Sequence, residues 1–118
     1  MSNPPHYSPF QMAGPFLLTS GQLPILDMET KQVPDCVREQ TIIVLQKVES
    51  HLQQQQMDRS HIVKTTAFIT DVNDWDAVND AYKEFFGDDH KPARSVIPCS
   101  DLHFGCKIEL EAIAYISG

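Results

Sequence analysis

The stretch KPARSVIPCS, Lys91 to Ser100, sets one arginine behind an alanine and a proline, at the start of a segment with the composition of a short buried strand. Arginine stays protonated in a protein and presents a planar fork matched to a carboxylate, so Arg94 in such a place implies an internal acid or an anionic ligand. The residues leave both readings open: a structural salt bridge with Glu109 or Glu111, or an anion site. Glu109 poses the matching question. A carboxylate in mid-strand with apolar flanks is paired and inert, or faces solvent, or serves as a base with a raised pKa. Ser20 has histidines and aspartates elsewhere in the chain but no G-x-S-x-G elbow around it, which points to hydrogen bonding with a ligand rather than to a nucleophile. Cys99, His103 and Cys106 form a C-x₃-H-x₂-C cluster that lacks the fourth ligand of a structural zinc site, so no metal is expected.

These residues need elements to hold them. Met1 to Pro15 is proline-rich and reads as an extended arm with at most a short strand near Tyr7 to Met12. Phe16 to Ser20 is the first clear strand, stopped by Gly21 and Pro24, and a loop follows to Gln32. Val33-Pro34-Asp35 reads as a helix start, because proline suits the first helical position and an acid there complements the dipole. From there Val37, Thr41, Val44, Leu45, Val48 and Leu52 fall on one helical face, and Gln53 to Gln56 reads as a solvated last turn. His61 to Thr70 has the β-branched density of a strand, with Ile62 and Phe68 on one face and Val63, Ala67 and Ile69 on the other. Asn73 or Asp74 caps a second helix with Trp75, Val78, Tyr82 and Phe85 as its apolar stripe and Gly87 as its stop. Trp75, Tyr82, Phe85 and Phe86 read as helix core. Ala93 to Cys99 is a short strand. Cys106 to Ile116 is a long one, with Ile108, Leu110, Ala112, Ala114 and Ile116 on one face and Lys107, Glu109, Glu111, Ile113 and Tyr115 on the other.

The order is strands, helix, strand, helix, strands, which gives an α+β sandwich: a mixed sheet with two helices packed on one side. Residues 1–118 suffice for one domain, and there is no repeat or linker. Apolar residues on both faces of the strands leave one face to be covered by something else, most simply another copy of the chain. A net charge of −7 with only 9 lysines and arginines makes duplex nucleic acid and anionic membrane poor partners. No stretch is apolar enough to span a bilayer and no leader pattern opens the chain, so the expected location is cytoplasmic. The three cysteines, without a C-x-x-C pair, read as reduced thiols.

TSGQLP at Thr19 to Pro24, IVKTTAFITDVNDWDAVNDAYKEFF at Ile62 to Phe86, PARS at Pro92 to Ser95 and KIELEAIA at Lys107 to Ala114 together make the chain resemble the RidA/YjgF family, over nearly its whole length from Tyr7 onward. The resemblance implies a chorismate-mutase-like fold, a homotrimer and ligand clefts between subunits. It implies hydrolysis of reactive 2-imino acids or enamines, such as 2-aminoacrylate, 2-iminopropanoate and 2-iminobutanoate, to 2-oxo acids and ammonia, with no cofactor. In that pattern Arg94 grips the substrate carboxylate, and Glu109, fifteen residues later, holds the attacking water. Ser20, Gly21 with its unobstructed N–H, Tyr7 and Asn79 line the cleft. His6 and His90 are expected near its rim, and His51 and His61 at the surface or a helix edge.

The chain also departs from the family pattern. Many relatives carry a cysteine two residues after the arginine, where this chain has Val96; a cysteine nucleophile there is excluded, and substrate choice at that position is left open. The arm before Tyr7 and the loop Gly87 to Lys91 are short. The competing readings are a non-catalytic trimeric binder of small carboxylates, or a regulatory protein of the same fold, and an endoribonuclease. The last fits poorly with the net charge and with the lack of interleaved basic and aromatic residues.

Overall fold

The computed structural model describes residues 4–117, and the first three residues of the arm therefore lie outside the described residues. The strands are β1 (Phe10–Ala13), β2 (Phe16–Thr19), β3 (Ile62–Ile69), β4 (Ala93–Pro98) and β5 (Ile108–Tyr115); the helices are α1 (Val37–Gln53) and α2 (Trp75–Phe86). The sheet order is β1-β2-β5-β3-β4. β1 and β2 form a hairpin turned by Gly14, whose φ of 58° suits glycine. β2 and β3 each run antiparallel to β5 between them, and β3 is parallel to β4. Parallel partners need long crossovers. α1 supplies the first, from β2 to β3, and α2 the second, from β3 to β4. The mixed sheet with two helices is the α+β architecture expected from the order of elements.

The core lies between helices and sheet, where Val44, Leu45, Val48 and Leu52 of α1 and Val78 and Phe85 of α2 meet Leu17, Ala67, Ile69, Ile108, Leu110 and Ala114. The strict alternation of β5 puts Ile108, Leu110, Ala112 and Ala114 under the helices. The opposite face of the sheet leaves Phe16, Leu18, Ile97 and Tyr115 about 40% exposed. Phe16 and Tyr115 lie ring to ring there, with centroids 5.2 Å apart, while Ile97 stands on the far strand β4.

Three local expectations are corrected. α1 begins at Val37 with Cys36 as its N-cap, not at Pro34. Pro34 instead offers its carbonyl to Gln40 Nε2 at 2.6 Å, while Gln40 Oε1 accepts from the Lys107 N–H at 2.9 Å. Gln40 thus ties the loop before α1 to the start of β5, which is why an amide sits 1% exposed on the apolar face. In β3 a bulge between Ile62 and Lys64 shifts the phase of the strand. Ile62 joins Ala67 and Ile69 in the core and Val63 is exposed, the reverse of strict alternation. Third, Trp75 is 43% exposed and is not core.

Arg59, just before β3, fastens both helices. Its Nε and Nη2 grip Glu49 of α1 at 2.9 and 2.6 Å, its Nη1 donates to the Phe85 carbonyl at 2.6 Å, and its guanidinium lies 3.8 Å from the Phe85 ring centroid. The bidentate bond to Arg59 holds the Glu49 carboxyl below its ordinary 4.5. A depressed carboxylate contributes stability that is present above the unfolded-state value and lost as pH falls through the folded one. Arg59→Ala should therefore cost about 1–2 kcal/mol at neutral pH, discounted for the half-exposed guanidinium. Urea unfolding should show the gap from wild type narrowing as pH drops below 4.5; a gap that stays constant would contradict this role.

Candidate active site

Arg94 lies in register with Thr65 on the neighbouring parallel strand, so both side chains point toward α2. On that helix Trp75, Asn79 and Tyr82 stand one turn apart and share a face. The Tyr82 hydroxyl and Thr65 Oγ1 are 2.6 Å apart in the interior. Burial pushes the Tyr82 phenol up to about 12, against the opposing pull of the Thr65 bond and the Arg94 charge, so it stays neutral. Its ring centroid is 4.9 Å from Arg94 Cζ, and the Trp75 ring is 5.1 Å away. Arg94 Nη1 donates to Asn79 Oδ1 at 3.1 Å. Among the described residues this is its one side-chain hydrogen bond, and no carboxylate pairs with it. Aromatic faces stabilise a cation and hold its plane without neutralising it. Most of the donor fork is left for something else, beside a cleft of about 450 Å³ lined by Asn79, Tyr82, Lys83, His90, Lys91 and Arg94 among others.

Glu109 lies on the other side of the sheet. Its neighbours Ile108 and Leu110 are buried under the helices, so its side chain points to the uncovered face. There it abuts Gly21. A Cβ at Gly21 would stand 2.8 Å from Glu109 Cδ and overlap Oε2. A local bulge creates this approach: between the Leu18–Ile113 and Gln22–Leu110 pairs, three residues on the β2 side face two on β5. The interruption leaves the Ala112 N–H to Thr19 Oγ1, at 3.0 Å. Ser20 donates its hydroxyl to the Ser8 carbonyl at 2.6 Å and its N–H to the Pro9 carbonyl at 2.9 Å, which folds the N-terminal arm back over the bulge. With its proton committed, Ser20 Oγ keeps lone pairs to accept from a ligand. Tyr7, His6, Gln11, Leu18 and Ser20 help line a second cleft of about 650 Å³ here.

The expected site residues therefore form two groups within one chain. Tyr7 and Ser20 share one cleft, and Gly21, next to Ser20 in the chain, abuts Glu109; Arg94 and Asn79 share the other. Val96 lines neither, because its side chain packs against the core. The salt bridge of Arg94 with Glu109 or Glu111 is not formed, since strand alternation sends the partners to opposite faces. His6 and His90 do line the two clefts. His51 lies half-buried in the last turn of α1, at the helix edge expected of it: its Nε2 lies 3.3 Å from Gln22 Oε1, its buried Nδ1 has no partner among the described residues, and burial lowers its pKa. The helical spacing that marks Trp75 and Tyr82 as core holds for Tyr82, which is buried in the core, and fails for Trp75; it does not show that both rings flank Arg94. The available signal was Asn79, a polar residue on the same helical face as two aromatics.

Residues 1–116 match the family model described as Endoribonuclease L-PSP. A RutC family protein of Buchnera aphidicola is 38% identical over 102 residues, 85% of this chain and 79% of that protein. TdcF of Escherichia coli K12, which bears the name of a reactive intermediate deaminase, is 36% identical over 104 residues, 86% of this chain and 79% of its own. The crystal structure of E. coli TdcF with bound serine superposes with a TM-score of 0.87 at 33% identity, covering 98% of this chain and 91% of that one. The E. coli YjgF structure gives 0.86 at 35% identity, over 94% and 88%.

Gly21→Ala tests the tight approach. The obstructing atoms are the end of a flexible side chain, so the fold should survive with its thermal midpoint lowered by no more than about 4–8 °C, the shift that about 1 kcal/mol produces. A crystal structure should show the Glu109 carboxylate displaced; an unmoved carboxylate over an undistorted backbone would contradict the contact.

Proposed function

The chain belongs to the endoribonuclease L-PSP family, which includes the RidA, YjgF and RutC proteins, and we propose that it hydrolyses reactive 2-imino acids and their enamine tautomers to 2-oxo acids and ammonia. The observation that carries this reading is the Arg94 guanidinium: fixed by Trp75, Tyr82 and Asn79, and free of any carboxylate among the described residues. A cation so held is matched to a planar carboxylate that arrives with the substrate. TdcF, which has the same fold, has been crystallised with serine, a small molecule with such a carboxylate.

The reaction asks little beyond placement. With the substrate carboxylate on Arg94, the C=N carbon is presented in a fixed orientation. Glu109 positions a water and takes its proton as the oxygen bonds to that carbon; the nitrogen gains a proton, and the carbinolamine loses ammonia as the C=O forms. Water supplies the oxygen of the 2-oxo acid, the nitrogen leaves as ammonia, and no electrons change hands. Tyr7, Ser20 and the Gly21 N–H lie where they can contact the bound molecule from the Glu109 side. Val96 contributes through its backbone and its packing.

Arg94 and Glu109 point to opposite sides of one sheet, so one chain does not complete this site. In the proposed homotrimer, the cleft between subunits joins the Arg94 group of one copy to the Glu109, Gly21, Ser20 and Tyr7 group of the next, and the exposed face with Phe16, Leu18 and Tyr115 is covered. An endoribonuclease role has no comparable support: the chain carries −7.

The test couples a serine or threonine dehydratase to the protein and follows 2-oxo acid release. Arg94→Ala should lower kcat/KM by about 10²-fold or more, because a charged substrate group loses its partner. Equal rates for wild type and Arg94→Ala would sink the deaminase reading. Glu109→Gln should keep 2-oxo acid binding while losing a comparable factor in kcat; turnover preserved in that variant would remove Glu109 from the mechanism.

A further inference from the structure

The cleft beside Arg94 is more cationic than binding one carboxylate requires. Lys83 near the end of α2 and Lys91 just before β4 line it with Arg94, against a single acid, Asp88. Three of the chain's 9 lysines and arginines thus converge on one cleft of a molecule whose net charge is −7. Lys83 and Lys91 make no side-chain hydrogen bond or ion pair among the described residues, whereas Arg38 pairs with Glu84 and Arg59 with Glu49. Asp88 pairs with none of the three cations in the cleft. Repulsion among like charges disfavours such a cluster in the empty protein. The wall is built rather than incidental: Phe86 and Gly87 close one side, and His90 Nε2 donates to the Ile62 carbonyl at 2.8 Å with its ring edge-on to Phe86. That bond pins the short loop carrying Lys91 against β3.

We propose that this chain prefers imines of amino dicarboxylic acids, whose second carboxylate is received by Lys91 and Lys83 while the first lies on Arg94. The inference rests on the deaminase reading and adds its substrate class. A volume of about 450 Å³ leaves room beyond Arg94 for a side chain with a terminal carboxylate. A monocarboxylate imine would leave both lysines without a partner. Asp88 at the same rim would attract a cationic second group, but Lys83, Lys91 and Arg94 outnumber it, so the net charge of the cleft selects an acidic side chain. Because the lysines are exposed at the mouth, the preference is modest and falls with salt.

The imines of glutamate and alanine, generated in place by amino-acid oxidases with catalase present, give the direct comparison. Wild type should show a kcat/KM for the glutamate-derived imine about tenfold above that for the alanine-derived one at low salt. The double variant Lys83→Gln/Lys91→Gln should erase that ratio, mainly through KM, and Lys91→Glu should invert it. A wild-type ratio at or below one, or a ratio unmoved in the double variant, overturns the inference. Binding separates its failure from failure of the deaminase reading. If neither imine is turned over faster than its spontaneous hydrolysis, deamination is wrong, and titration with 2-oxoglutarate and pyruvate then decides the charge preference. About tenfold tighter 2-oxoglutarate binding, lost in the double variant, upholds a dicarboxylate site; equal affinities reject it.

Discussion

Successive side chains of a β-strand point to opposite faces, and that period of two governs how this molecule can work. Arg94 shares its face with Thr65 under α2, while Glu109 alternates with Ile108 and Leu110 and points the other way. No rotamer change brings the two together through a hydrogen-bonded sheet. The same alternation fills the covered face with core and leaves Phe16, Leu18, Ile97 and Tyr115 on the other. In the proposed mechanism the divided site and the uncovered apolar side chains follow from one constraint, and the proposed trimer would answer both.

The crossover topology holds each group in place. β3, α2 and β4 form one parallel unit, and its helix presents Trp75, Asn79 and Tyr82 to the Arg94 side chain. Charge at that position is tolerated because two aromatic faces and one amide oxygen surround it, while Thr65 takes the buried hydroxyl of Tyr82. On the other side, β2 loses its regular ladder at Ser20 and Gly21. The missing Cβ lets the backbone approach Glu109, and the Ser20 hydroxyl anchors the arm that carries Tyr7. Local departures from ideal strand geometry thus bring the polar groups together. The regular parts supply the rigid support.

Elements with a strong period are legible in the sequence. β5, with its alternating Ile, Glu, Leu, Glu, Ala run, has the two faces expected of it, and α2 ends at Gly87. The sequence is ambiguous where two residues satisfy the same rule. Ile62 and Val63 are both β-branched and apolar, so nothing in their types shows which one the bulge turns outward. Pro34 suits a first helical turn but equally suits an extended segment, and the Gln40 bonds that fix it there depend on Lys107, far along the chain. Arg94 was conspicuous by residue type. Its aromatic clamp was not, because Trp75 and Tyr82 fit an apolar helical stripe as well as they fit the surroundings of a guanidinium. The two lysines of the same cleft lie 8 positions apart on different elements, and only folding brings them to one side of it.

The central claim is that Arg94 of one copy works with Glu109 of another. Subunit mixing measures this most directly. Arg94→Ala and Glu109→Gln, each expected to lose about 10²-fold alone, are dissociated, mixed in equal amounts and reassembled, and imine hydrolysis is followed against both parents. Sites shared between copies predict that random assembly makes roughly a quarter of the clefts intact, so activity returns to about that fraction of wild type. Mixtures no more active than the parents, with reassembly verified by mass, would contradict the account.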